Sequence, residues 1–134
     1  MQARTTLISA AIAGFSGVAL GAFGAHGLKS VLSANMLAVW QTAVQYHLVH
    51  SVVLLALAVA LMTLPPGTTT IWLRRSAGLM LAGLLLFSGS LYLMALTGIR
   101  PLGIITPIGG VSWLTGWGLM LLAALKWPAA SNEH

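Results

Sequence analysis

Apolar positions along this chain gather into four runs, at about 5–25, 43–64, 77–96 and 106–126, and the charged residues lie between these runs or at and beyond their ends. Roughly 20 residues at ~1.5 Å each cross a hydrocarbon core of ~30 Å, so each run reads as a membrane span. Lipid offers no backbone hydrogen-bond partner, and runs of this length satisfy their own backbone only as helices. Pro65-Pro66-Gly67 ends the second span, because proline neither donates the helical bond nor fits the preceding turn. Thr106 is expected as N-cap of the fourth, with Pro107 at its first helical position. The predicted fold is all-α: a membrane-embedded four-helix bundle forming one domain over residues 1–134.

Composition removes most chemistries. Charged residues make up 5 % of the chain, against about a quarter in soluble domains. There is no cysteine, which excludes disulfides, thiolate metal sites and cysteine nucleophiles. The one acid is Glu133, in the polar tail Ser131, Asn132, Glu133, His134. Paired-carboxylate catalysis and carboxylate cages for hard cations are therefore excluded. The net charge of +5 comes from scattered basic residues near span ends and points to topology, not to nucleic acid. Arg4, Arg74, Arg75 and Lys126 fall on one side, Lys29 and Arg100 on the other, which predicts both termini in the cytoplasm (N-in/C-in). Trp40, Trp72 and Trp127 read as interfacial anchors. The first run is longer than the roughly 7–15 apolar residues of a signal peptide and is expected to be retained as a span.

Small residues repeat at helical spacing. Ala10, Gly14, Gly17, Gly21 and Gly24 share one narrow face of the first helix, a surface for close helix approach. Gly78 with Ala82, and Ser112 with Gly116, repeat the device in the third and fourth. Residues 33–64 contain neither glycine nor proline, so the second helix is expected to exceed the hydrocarbon thickness. Its first part is placed in or beyond the outer interface, after a bend.

Polar side chains concentrate at one depth. His26 ends the first span; Gln41, Gln45, Tyr46, His47 and His50 open the second; Ser88, Ser90, Tyr92 and Thr97 close the third; Thr106 begins the fourth. The opposite leaflet is expected to be nearly free of them. Polar groups within spans are default functional candidates. The expectation is one shared pocket of His26, Tyr46, His47, His50, Ser88 and Tyr92, with His50 paired to a hydroxyl and Trp113 and Trp117 as aromatic walls. Three roles compete for the histidines: metal or haem ligation, which lacks any supporting carboxylate or thiolate; proton-linked or ligand binding; and hydrogen bonding that fixes the bundle.

The motifs Gly21-Ala22-Phe23-Gly24-Ala25-His26-Gly27, Thr42-Ala43 with Tyr46-His47 and His50-Ser51, Phe87-Ser88-Gly89-Ser90 with Tyr92, and Thr106-Pro107 before Gly109-Gly110 resemble a known family. It is the family of small membrane proteins labelled domain of unknown function 423, which includes the eukaryotic transmembrane protein 256. The resemblance covers about residues 5–126. It implies a four-span, multi-pass protein of the bacterial inner membrane and marks His26, Tyr46, His47, His50, Ser88, Ser90 and Tyr92 as ligand-binding candidates, without assigning a chemistry.

The expected role is a non-enzymatic accessory or structural membrane protein, with no cofactor and no metal. Its surroundings are the lipid bilayer, with a homo-oligomeric or membrane-protein partner. The alternative is binding or transport of a lipid- or quinone-like molecule at the polar pocket. Channel and inverted-repeat transporter readings lack a filter, acidic ring or paired broken helices. No motif joins a nucleophile to a base, as an enzyme would need.

Overall fold

The computed structural model describes residues 1–128; the tail residues Ser131, Asn132, Glu133 and His134 lie outside the described residues. Among the described residues the chain forms α1 (Ala3–His26), α2 (Ala34–Thr63), α3 (Thr68–Thr97) and α4 (Ile105–Leu125). A 3-10 turn, Arg100–Ile104, precedes α4. Each long helix is apolar enough to cross a membrane.

The ends follow local chemistry. Ser33 caps α2, accepting from the Met36 amide at 3.2 Å, and the helix stops at Thr63, just short of Pro65-Pro66. It runs unbroken for 30 residues, about 45 Å at ~1.5 Å per residue, with no interruption separating the interfacial part expected from sequence. The α3 start differs from expectation. It begins at Thr68 and takes Trp72, Arg74 and Arg75 into its first turns. Nothing between Gly67 and Ala77 breaks a helix, and Thr70 Oγ1 accepts from the Gly67 amide at 2.9 Å. Gly98 ends α3 with φ 71°, and its amide donates to the Met94 carbonyl at 2.9 Å, a left-handed cap that glycine adopts without penalty. Thr106 does not cap α4. The helix continues out of the 3-10 turn at Ile105, which frees the Thr106 hydroxyl to bond Ser90 Oγ at 2.6 Å.

The helices alternate in direction and pack in chain order, α1 on α2, α2 on α3 and α3 on α4; among the described residues α1 and α4 make no backbone approach. In their most apolar windows 39 % of residues are buried in α2 and α3 but 22 % in α1 and α4, so α2 and α3 form the inner pair. The Met1 amine donates to the Arg74 carbonyl at 3.0 Å and Thr69 Oγ1 to the Lys126 carbonyl at 3.3 Å. The start of α1, the α2–α3 turn and the end of α4 therefore share one end of the bundle, with Arg4, Arg74, Arg75 and Lys126. The other end holds the α1–α2 and α3–α4 connections.

Close approach uses some predicted glycines and some unpredicted ones. A Cβ on Gly17 would meet Leu48 Cδ2 at 2.8 Å, on Gly21 Val44 Cγ1 at 3.1 Å, and on Gly24 Trp40 Cδ1 at 2.5 Å, so these three do seat α1 on α2. Gly14 and Gly78 have nothing within 4 Å and face open space. The predicted Gly116 does seat α4 on α3, 3.1 Å from Met80 Cε, and the other tight α3–α4 contacts lie at two glycines not expected from sequence, Gly83 beneath the Trp113 indole and Gly109 against the Phe87 backbone.

Trp40 is a core residue, not an interfacial anchor: it is 2 % exposed and donates Nε1 to the Leu20 carbonyl at 2.9 Å. The half bearing the termini is not free of polar groups either. Thr6, Thr70 and Ser76 are buried there, each donating to a backbone carbonyl, as Ser76 does to Gly116 at 2.8 Å.

Candidate functional site

The polar candidates do not form one pocket. They separate because His47 and His50, three residues apart on α2, point to different neighbours. His47 faces α1 and α3. Its Nδ1 lies 2.9 Å from the Tyr92 hydroxyl and its Nε2 lies 3.3 Å from Ser16 Oγ. Ser16 in turn donates to the Ile12 carbonyl at 2.8 Å. With that proton committed, Ser16 accepts from His47 Nε2–H, and Tyr92 donates to Nδ1. The chain Tyr92–His47–Ser16–Ile12 is satisfied along its length and links α3, α2 and α1.

His50 faces α4. Its Nδ1 lies 2.8 Å from the Tyr46 carbonyl, and its ring lies on Trp113 with centroids 3.7 Å apart and planes 6° from parallel. The ring is 5 % exposed, and Nε2 has no hydrogen-bond partner among the described residues. Pairing of His50 with a hydroxyl, expected from sequence, belongs instead to His47, because the i−4 carbonyl of Tyr46 captures His50 Nδ1.

His50 lines a lateral groove of about 380 Å³ with Tyr46, Phe87, Pro107, Trp113 and Trp117. Tyr46 lies within 12° of parallel to His50 and 11° to Trp113, whereas Trp117 stands 74° to His50. Tyr46 and Trp117 are 43 % and 45 % exposed on this face. The aromatic walls expected from Trp113 and Trp117 are thus present, with Trp113 buried as the floor and Trp117 open to the surroundings.

The remaining candidates serve elsewhere. Ser88 Oγ is buried and donates to the Ala43 carbonyl at 2.8 Å, tying α3 to α2. Ser90 donates to the Phe87 carbonyl at 2.9 Å and accepts from Thr106, tying α3 to α4. His26 is exposed at the end of α1, outside both groups. Among the described residues no three His, Asp or Glu side chains gather as a metal site.

The family described as "Protein of unknown function (DUF423)" matches residues 20–110, a segment holding every polar candidate from His26 to Tyr92. The chain belongs to this family. It is 44 % identical over 134 residues to the UPF0382 inner membrane protein YgdD of Escherichia coli strain K12, covering 100 % of this chain and 99 % of that one. It is 44 % identical over 127 residues to the UPF0382 membrane protein YwdK of Bacillus subtilis, covering 92 % and 98 %. To the UPF0382 membrane protein SSP2132 of Staphylococcus saprophyticus it is 42 % identical over 123 residues, covering 92 % and 98 %. No solved structure matches it. Four apolar helices and these relatives make it a multi-pass protein of the inner membrane.

Sequence reasoning missed Phe87 and Pro107 as groove residues and Gly83 as the seat of Trp113. The Phe87-Ser88-Gly89-Ser90 and Thr106-Pro107 motifs pointed to the neighbourhood. Gly83 carried no signal, because one glycine in an apolar helix looks the same facing lipid or protein.

Proposed function

We propose that this chain is a non-enzymatic accessory protein of the inner membrane that holds an apolar molecule with a polar head in the groove between α2, α3 and α4. The observation carrying this reading is His50 Nε2, a buried polar atom without a partner, on a residue that lines an aromatic, laterally open groove. An unpaired polar group in an apolar interior costs roughly 1–3 kcal/mol, and a ligand head removes that cost. The His47 chain and the Ser88 and Ser90 bonds support a structural role for His47, Tyr92, Ser88 and Ser90. Their interhelical bonds are worth about 0.6 kcal/mol each and up to ~1.7.

The orientation that accompanies this reading is N-in/C-in, supported by Arg4, Arg74, Arg75 and Lys126 at the end bearing the termini. The groove then opens within the periplasmic half of the bilayer.

Native mass spectrometry after lipid-preserving extraction tests the proposal. Wild type is expected to retain a small apolar molecule that His50→Phe loses. Wild type carrying none, or both carrying it equally, would overturn the reading. The same spectra report whether the partner expected from sequence is a second copy of the chain.

A further inference from the structure

We infer that the groove takes a flat aromatic head bearing a hydroxyl, of the quinol class on an apolar tail, with that hydroxyl donating to His50 Nε2. This rests on the groove-binding reading above.

A backbone carbonyl can only accept, so the 2.8 Å contact from His50 Nδ1 to the Tyr46 carbonyl places a hydrogen on Nδ1. In the neutral ring, Nε2 is then a lone pair that only a donor can satisfy. The chain's single acidic side chain is Glu133, far along the sequence in the C-terminal tail, and no acid lies on any of the four helices to hold a cationic ring. His47 is the contrast. There Tyr92 supplies a donor to Nδ1 and Ser16 an acceptor for Nε2–H, so both nitrogens are used within the chain.

A lone pair at this point discriminates among membrane molecules. Ester carbonyls, ionised phosphodiesters and the carbonyls of an oxidised quinone bring only acceptors. A hydroxyl brings the needed donor. The walls select the ring: Tyr46, His50 and Trp113 lie in nearly parallel planes, and Trp117 stands across them, an arrangement suited to offset or edge contact with a flat aromatic body. Leu114 and Val111, on the same groove, are 74 % and 61 % exposed and offer an apolar path for a tail. Tyr46 forms no side-chain hydrogen bond among the described residues, so its hydroxyl is available to a second oxygen on the head.

The test uses the full chain in phosphatidylcholine nanodiscs with 4-nonylphenol, its methyl ether 4-nonylanisole, and 1-dodecanol as probes. Affinity is read from tryptophan fluorescence and the acceptor from the 15N resonance of His50 Nε2. The phenol is expected to bind on the order of tenfold or more tighter than the ether, the gap of one well-made hydrogen bond. Nε2 is expected to start at a lone-pair shift and move upfield with the phenol only. His50→Phe, which keeps a ring against Trp113, is expected to bring the two affinities together.

Equal, saturable binding of phenol and ether that Trp117→Ala weakens would overturn the hydroxyl inference and leave the groove reading standing. Dodecanol binding as tightly as the phenol would overturn the aromatic class. No saturable binding of any probe would overturn the groove reading as well. If His50→Phe does not fold, the wild-type nitrogen resonance decides: an Nε2 shift unmoved by the phenol refutes the bond.

Discussion

Trp113 carries His50 flat on its indole, 3.7 Å between centroids, while its own Nε1 donates to the Met80 carbonyl of α3 at 3.0 Å. One side chain of α4 thereby fixes a ring of α2 and a backbone group of α3. Gly83 makes this contact possible, since a Cβ there would occupy the position of the indole edge. The aromatic groove and the helix packing beneath it are one construction.

Gly83→Ala and Gly109→Ala are expected to lower thermal stability in mild detergent, by about 1–3 kcal/mol as overpacking does. Gly109→Ala is expected to be the worse, because it meets the Phe87 backbone, whereas Gly83→Ala meets a side chain that can shift. Gly14→Ala and Gly118→Ala, with nothing within 4 Å, are expected to melt like wild type. Wild-type melting of Gly109→Ala would contradict the α3–α4 packing.

Tyr92→Phe and Ser16→Ala are expected each to cost about 0.6 kcal/mol, up to ~1.7. Their effects should be non-additive, because both act through the His47 ring. Reversible unfolding in mixed micelles measures the cycle. Co-purifying molecules should be unchanged in both variants. Strictly additive losses would mean that Tyr92, His47 and Ser16 do not act as one chain.

Trp113→Leu is expected to remove the upfield ring-current displacement of the His50 ring protons, read by proton NMR. The lost aromatic pairing costs about 0.5–1.5 kcal/mol, and the Nε1 bond to Met80 adds about 1 kcal/mol. An unchanged His50 spectrum would mean the two rings are not stacked.

Reporter fusions at the N-terminus, within 65–67 and after Lys126 are expected to give one compartment, the cytoplasm, and a fusion at Ser30 the opposite one. All reporters inverted would reverse the orientation. A split among the first three would contradict the alternating helices.

The sequence by itself determined the number of helices and their approximate extents, because hydrocarbon thickness sets how long an apolar run must be and Pro65-Pro66 punctuates the chain. It also determined that Gly17, Gly21 and Gly24 share a helical face, a matter of period alone. What tertiary structure decided was which faces meet. In lipid the outward and inward sides of a helix are equally apolar, so no polar stripe marks the interior, and nothing in the pattern separates Gly14 and Gly78, which face open space, from Gly83 and Gly109, which do not. The same holds for the polar candidates. Their common depth was legible along the chain, but His47 and His50 diverge around one helix, and only their neighbours, Tyr92 and Ser16 for one and the Tyr46 carbonyl for the other, decide which nitrogen carries the hydrogen and which lone pair is left without a partner.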